Sequence, residues 1–163
     1  MAQAALGVDA DTHEIVAVEL TPDDVGDVSE VPDLLDQIDA EVASVTADGA
    51  YDGAAVYDAV AERHPSATVI IPPRATSVAG ETTATQRDQH LAMIDEHGRM
   101  GWQRRSGYNQ RSLVETAMFR YKTIIGRRLQ ARTLSNQKTE AKIGCNALNR
   151  MTGLGMPTSA RVR

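Results

Sequence analysis

The chain has 163 residues, of which 42% are hydrophobic, a length and composition typical of one folded domain with a sizeable core. No apolar run approaches the roughly 18 residues that predict a membrane span, and the first residues lack the basic and apolar stretches of a secretory signal. A single cysteine, Cys145, excludes an internal disulfide and is expected to behave as a small apolar residue. We therefore expect a cytoplasmic protein with no membrane partner.

Charge is distributed unevenly along the chain, which the net value of -5 conceals. Residues 1–98 contain 20 acidic and 3 basic side chains, whereas residues 99–163 contain 2 acidic and 14 basic ones. The basic part favours a polyanion, such as a nucleic acid, as a partner. The alternative is that the two parts neutralise each other within the fold.

The first half of the chain is predicted to alternate strands and helices. The expected elements are a β-hairpin over 6–20, an acidic loop over 21–30, a helix over about 30–42, a strand over 44–47, a helix over 53–64, a strand over 67–71 and a loop over 74–84. Asp52 precedes the second of these helices and is expected to cap it.

The second half is predicted to be helical. A helix over 85–97 would begin at the capping residue Thr85 and end before Gly98. A long helix is expected over about 107–132, and a last helix over about 136–151 would start at Asn136. Residues 154–163 are expected to form a loose tail. Strands that alternate with helices predict an α/β or α+β fold.

Four residues of the long predicted helix carry the chemistry. Tyr108, Arg111, Glu115 and Lys122 would project within an arc of about 60°, beside an apolar face that extends to Ile124 and Ile125. Glu115 is one of only two acids after residue 98, so it is either a salt-bridge partner or a metal ligand.

Asp48 lies where a predicted strand meets Gly49. This is the position at which α/β sheets place ligand-binding groups, although an Asp after a strand is also ordinary turn chemistry.

The segment Ala47-Asp48-Gly49-Ala50-Tyr51-Asp52, followed by Tyr108-x2-Arg111-x3-Glu115-x6-Lys122, resembles the DDE transposases of bacterial insertion sequences, in particular the branch with the Y-x2-R-x3-E-x6-K signature. The resemblance extends from about Leu6 to Arg163. It includes Ile71-Pro72-Pro73-Arg74, Gly107-Tyr108 and Leu148-Asn149-Arg150-Met151. It implies an RNase H-like (retroviral-integrase-like) catalytic domain over residues 1–153.

In that family three acids hold two Mg²⁺ or Mn²⁺ ions for an in-line phosphoryl transfer. The resemblance aligns Asp48 with the second acid and Glu115 with the third. It further implies that Arg111 and Lys122 offset DNA phosphates and that Tyr108 contacts a backbone oxygen or a base.

One departure from the family concerns the first acid, which lies on a central strand upstream of the opening hairpin. Only residues 1–5 precede the hairpin here, and Asp9 and Asp11 match hairpin positions instead. The resemblance therefore implies a truncated domain, or a reading frame whose start was assigned too late. In the RNase H-like strand order 3-2-1-4-5, the missing strand separates the hairpin from the Asp48 strand. We expect marginal stability, or direct pairing of strand two with the Asp48 strand.

Further residues are expected to bind DNA or to lie in the core. Phosphate contacts or a solvated basic face are expected for Arg74, Arg104, Arg105, Arg127, Arg128 and Arg132. Trp102 would either stack on a displaced base or pack in a core or interface. The four histidines show no ligand spacing and are expected in turns or at the surface.

The resemblance implies metal-dependent DNA cleavage and strand transfer in transposition, with transposon ends and target DNA as partners and with self-association or association with an intact transposase. Activity of this chain alone is in question, because one of three acids is missing. The alternatives are a non-catalytic DNA-binding remnant that modulates an intact enzyme, and an unstable relic.

Overall fold

The computed structural model describes residues 2–22, 27–78 and 85–155. Within these ranges the strands are β1 (Ala2–Val8), β2 (Ile15–Pro22), β3 (Ser44–Thr46) and β4 (Thr68–Ile70). The helices are α1 (Val31–Leu35), α2 (Ala54–Arg63), α3 (Gln86–Ser106), α4 (Ser112–Arg120) and α5 (Leu134–Leu154). The predicted mixed α/β fold is thereby confirmed. Most of the predicted C-terminal tail, from residue 156 onwards, lies outside the described residues.

The strands form two small sheets. β1 pairs with β2 in an antiparallel hairpin that begins at Ala2, earlier than predicted, and β3 pairs with β4 in parallel. The hairpin turn is held by Asp9, whose Oδ1 accepts the N–H groups of Asp11 and Thr12. Among the described residues the two pairs remain separate, so direct pairing between the hairpin and the Asp48 strand was a wrong prediction.

Two clusters of buried apolar side chains hold these elements. The first packs α1 and α2 against the parallel pair and consists of Val31, Leu35, Val56, Ala59, Val60, Ala67, Val69 and Ile71. The second packs the hairpin against α4 and α5 and consists of Ile15, Val18, Leu20, Ala117, Ala141, Cys145 and Leu148. Cys145 therefore has the apolar role expected from the sequence, and burial raises the pKa of its thiol to about 11. Among the described helices none is long and apolar enough to cross a membrane.

The first predicted helix is much shorter than 30–42, because α1 ends at Leu35. Carboxylates follow at Asp36 and Asp39, and negative charge is unfavourable at a helix C-terminus. Gln37 instead turns toward the hairpin, where its side-chain oxygen accepts the N–H of Val18 at 3.3 Å. The preceding acidic segment is only partly described, and residues 27–30 form a 3-10 turn.

The long helix predicted over 107–132 is present only in part, as a helical stretch of mixed type that ends at Ile125. A 3-10 turn covers Tyr108–Arg111, α4 follows, and a π-helical turn over Tyr121–Ile125 ends before Gly126. Gly107, whose φ of 75° lies in the left-handed region that favours glycine, separates this stretch from α3, and Gly126, with φ 135°, ends it. The 3-10 and π-helical turns change the rotation per residue, so the arc expected for a uniform α-helix does not apply, and Ile124 and Ile125 are exposed instead of packed on a core.

The remaining helices begin at side-chain caps. Thr85 caps α3 through a reciprocal pair of bonds with Asp88, as predicted. Gly98, with φ 69°, kinks the chain, but helical structure resumes and continues to Ser106. Helix α5 begins after the cap Thr133, so the predicted start at Asn136 was two residues late.

Candidate functional site

Asp48 stands at the carboxyl end of β3, where the chain leaves the parallel pair. Its backbone is extended, and its Oδ1 accepts the N–H of Ala50 at 2.9 Å, which closes a 3-10 turn over Gly49–Tyr51. The side chain is half-buried. The turn lies against the Pro72 carbonyl, since a Cβ placed on Gly49 would come within 3.4 Å of that oxygen. Asp48 is thus both a turn cap and an acid at the edge of the sheet.

Tyr108 is the side chain that connects Asp48 with the second acid. Burial raises the pKa of the half-buried Tyr108 phenol, Arg111 opposes this, and the negative charges of Asp48 and Glu115 raise it further. Both carboxylates therefore act electrostatically on one phenol. The Tyr108–Arg111 turn also contacts β3, the strand that leads to Asp48.

Arg111 and Glu115 form an ion pair one helical turn apart. The Nη2 of Arg111 lies 2.6 Å from Oε1 of Glu115, and its guanidinium lies 5.8 Å from the centroid of the Tyr108 ring. Of the two alternatives open for Glu115, the salt bridge is formed. Because the Glu115 side chain is 61% exposed, the pair is accessible to solvent and to a ligand.

The Tyr108 ring is supported by a buried polar chain that starts at Trp102. The ring centroids of these two residues are 5.1 Å apart. The indole N–H of Trp102 donates to His90 Nδ1 at 3.0 Å, and Nε2 of the same imidazole lies 2.7 Å from the Val69 carbonyl oxygen. Trp102 is 1% exposed, so its core role is confirmed and base stacking is excluded. His90 is buried, which contradicts the predicted turn or surface position.

Asp52 has a different role from the predicted helix cap. Helix α2 is preceded by Gly53 without a side-chain cap, whereas the Asp52 carboxylate is fully buried and accepts two bonds from Arg87, at 2.7 and 2.9 Å. It also accepts the N–H of Arg74 at 2.9 Å and the hydroxyl of Ser77 at 3.3 Å. Burial alone would raise the pKa of Asp52, but the bonds from Arg87 and Arg74 lower it below its ordinary value. We call Asp52, Arg74, Ser77 and Arg87 the Asp52 network.

The predicted DNA-binding arginines are all exposed, but they do not form one group. Arg74 reaches the Asp48 turn, where its Nη2 donates to the Ala50 carbonyl at 3.4 Å. Arg104 and Arg105 project from the end of α3. Arg127 and Arg128 lie after the π-helical turn.

Lys122 lines a groove that Tyr108, Arg111 and Glu115 do not line. No hydrogen bond or ion pair within the described residues joins Lys122 to Glu115. It lines a groove of 620 Å³ whose cationic members are Lys122, Arg127 and Arg128 and whose apolar floor comprises Ala4, Leu6, Val18, Leu20, Met118, Leu129 and Ala141. We call this the cationic groove.

Few ion pairs between described residues connect the acidic part of the chain with the basic part. Among the ion pairs between described residues, only the one between Lys138 and Glu19 connects them. Among the described residues, most cations of the second half are therefore not seen in an ion pair with the acids of the first half, which favours an anionic partner.

A family model, the transposase DDE domain, matches residues 1–150. The chain belongs to this family. Transposase function and DNA as the partner follow from membership of the family, and such transposases typically use divalent metal ions. No solved structure matches the transposase domain.

The donor chemistry of the site fits part of a magnesium shell. Mg²⁺ is commonly held by one or two carboxylates, with water and substrate phosphate completing the octahedron. Asp48 and Glu115 each use a single oxygen in the bonds described above. Within the described residues, no three acidic, histidine or cysteine side chains come together as a group able to hold a metal ion.

Sequence reasoning missed the Asp52 network and the Trp102–His90 contact. A signal for the first was present, because the acidic first 98 residues contain only three basic side chains. Each is used by the fold: Arg63 pairs with Asp36, Arg87 with Asp52, and Arg74 lies on the Asp48 turn. A rare arginine among many acids is expected to have a carboxylate partner, so Arg63 and Arg87 could have been selected.

Proposed function

We propose that the chain provides the Asp48 and Glu115 portion of a DDE transposase active site, which cleaves and joins DNA. The observation that carries this proposal is that the Tyr108–Arg111 turn contacts β3, which leads to Asp48, while Arg111 of the same turn pairs with Glu115 at 2.6 Å. Phosphoryl transfer needs paired acids with cations close by to offset the phosphates. Asp48, Glu115, Arg111 and Arg74 supply that combination.

Each side chain has a role that follows from its position. Arg111 holds Glu115 in one rotamer through the 2.6 Å ion pair and brings positive charge over the Tyr108 ring. Arg74 places a second cation on the Asp48 turn. Tyr108 would donate its hydroxyl to a phosphate oxygen of the DNA strand, because burial keeps the phenol protonated.

Asp48 and Glu115 would hold Mg²⁺ or Mn²⁺, which supplies Lewis-acid activation of the attacking oxygen and stabilisation of the leaving oxygen. Lys122, Arg127 and Arg128 would contact phosphates further along the duplex, and Arg104 and Arg105 would extend this contact. Since these side chains are exposed, they can approach DNA without rearrangement of the core.

We propose further, from the signature residues, that the transposase domain is of the insertion-sequence branch and has an RNase H-like fold over residues 1–153. In this interpretation it acts in the cytoplasm and associates with itself or with intact transposase. The antiparallel hairpin and the separate parallel pair support this proposal, because the strand order 3-2-1-4-5 has one strand between two such pairs.

Binding of Mn²⁺ and nicking of supercoiled plasmid test the proposal together. Glu115→Gln and Asp48→Asn should each weaken Mn²⁺ binding at least tenfold, measured by calorimetry. Glu62→Gln is the matched control, because Glu62 is also an exposed glutamate paired with an arginine. Unchanged Mn²⁺ affinity in both site variants would refute the assignment. Metal-dependent nicking by these 163 residues alone, lost in Glu115→Ala, would show that they contain a complete set of catalytic acids.

The cationic groove supports a second function, a DNA-binding protein without catalysis that modulates an intact transposase. It predicts salt-sensitive DNA binding that Asp48→Ala and Mg²⁺ leave unchanged. If about five phosphates are contacted, the slope of log affinity against log salt would be about -4.5. A slope near zero would refute DNA binding in either form.

A further inference from the structure

The Asp52 network holds together three segments of the chain that neither Asp48 nor Glu115 connects. Its carboxylate is buried at the end of the Gly49–Tyr51 turn, its ion-pair partner Arg87 lies in the first turn of α3, and Ser77 belongs to the loop after β4. The Nη2 of Arg87 also donates to the hydroxyl of Ser77 at 2.7 Å. One buried carboxylate thus fixes the positions of three segments relative to one another.

The same network continues to the proposed site in two short steps. The N–H of Asp52 donates to the Gly49 carbonyl at 3.3 Å, and the Ala50 N–H donates to Asp48 Oδ1 at 2.9 Å. The Arg74 N–H is held by Asp52, while its guanidinium donates to the Ala50 carbonyl. The backbone that carries Asp48 and the backbone that carries Arg74 are therefore anchored on the same carboxylate.

We propose that Asp52, held by Arg87, is a positioning residue that orients both Asp48 and the Arg74 guanidinium toward a DNA phosphate. The inference rests on the proposed function and deepens it, because it assigns Arg74 a phosphate contact beside Asp48. A buried, fully hydrogen-bonded carboxylate is suited to this role, because it has one low-energy arrangement and breaking its bonds costs much free energy.

Salt dependence of DNA binding gives a readout that general loss of stability would not move. Arg74→Gln should make the slope of log affinity against log salt shallower by about 0.9, the value of one phosphate contact. Asp52→Asn should have the same effect, and the double variant should equal Arg74→Gln alone. Asp36→Asn is the control, because Asp36 also accepts two bonds from an arginine and its change alters net charge equally.

A slope for Asp52→Asn equal to that of the unaltered chain would overturn the inference. So would a double variant with a shallower slope than Arg74→Gln, because Asp52 would then act on DNA independently of Arg74. An unaltered chain with no salt-dependent binding would refute the proposed function itself.

Amide hydrogen exchange tests, without DNA, whether Asp52 fixes the backbone that carries Asp48 and Arg74. Asp52→Asn should accelerate exchange at the N–H of Ala50 and of Arg74 at least tenfold, while Asp36→Asn leaves both unchanged. Ser77→Ala preserves the charges of Asp52 and Arg87 and should accelerate exchange at the same amides to a smaller extent. This variant replaces Asp52→Asn in the measurement if Asp52→Asn fails to fold. Protection of both amides unchanged in the folded variants would overturn the inference.

Discussion

Gly144 offers a sharp test of the packing that supports the π-helical turn. This residue is buried in the middle of α5, and a Cβ placed on it would lie 2.7 Å from Cε2 and 2.8 Å from the hydroxyl oxygen of Tyr121. Alanine in a helix interior gains about 1 kcal/mol over glycine. Overpacking a filled site costs about 1–3 kcal/mol. Because Tyr121 begins the turn that carries Lys122, we expect Gly144→Ala to destabilise the fold by about 1 kcal/mol overall.

Gly153 provides the matched control in the same helix. A Cβ placed there meets nothing within 4 Å, so Gly153→Ala should stabilise the protein by up to about 0.5–1 kcal/mol. The two variants should therefore differ in Tm by about 4–8 °C at this chain length. The measurement is urea and thermal unfolding, followed by far-UV circular dichroism and by the fluorescence of the single tryptophan.

Truncation of the Tyr121 ring separates steric clash from other causes. In a Tyr121→Leu background, Gly144→Ala should become stabilising, because the contacting ring atoms are gone and the helix propensity of alanine remains. If Gly144→Ala raises the urea midpoint as much as Gly153→Ala does in the unaltered chain, the reasoning is refuted.

Three other changes test separate parts of the structure. Trp102→Phe should cost about 2–3 kcal/mol, because it leaves a buried His90 nitrogen without its donor; equal stability in a urea titration would contradict this. Lys138→Met should cost about 2 kcal/mol by leaving the buried Glu19 carboxylate unpaired, and adding Glu19→Leu should recover most of it. Glu140 accepts backbone N–H groups from the preceding loop, which lowers its pKa. Its stabilisation is present above the ordinary glutamate pKa and lost as pH falls through the lowered value, so Glu140→Gln should show a flatter acid unfolding profile.

Features decided by short-range signals were predictable from the sequence. The hairpin, the strand before Asp48 and the Thr85 cap each depend on a few neighbouring residues, and each formed as expected. The long helix failed at Gly126, where a residue with φ 135° ends the helical conformation well before the predicted end at 132. A more cautious interpretation of that glycine would have shortened the prediction.

Long-range partners explain the remaining errors. Asp52 is of a residue type and at a position typical of a helix cap. It is a buried ion-pair partner only because Arg87, 35 residues further along the chain, bonds to it. Trp102 stands among charged residues in the sequence, yet its indole reaches His90 on the other side of the Gly98 kink. Neither contact has a periodic pattern, so pattern analysis does not detect it.

The two apolar clusters have different consequences for how the chain folds during synthesis. The first cluster draws on residues 31–71, which leave the ribosome together and close short loops. The second joins hairpin residues such as Leu20 to Ala141 and Leu148 of α5. At about 5–20 residues per second, the hairpin would wait on the order of 10 s for α5.

Throughout that interval the apolar face of the hairpin is exposed beside two unpaired strand edges, a combination that invites intermolecular association. We expect any version of the chain that ends before residue 134 to depend on chaperones and to be insoluble on expression. An α5 peptide supplied during translation should restore solubility.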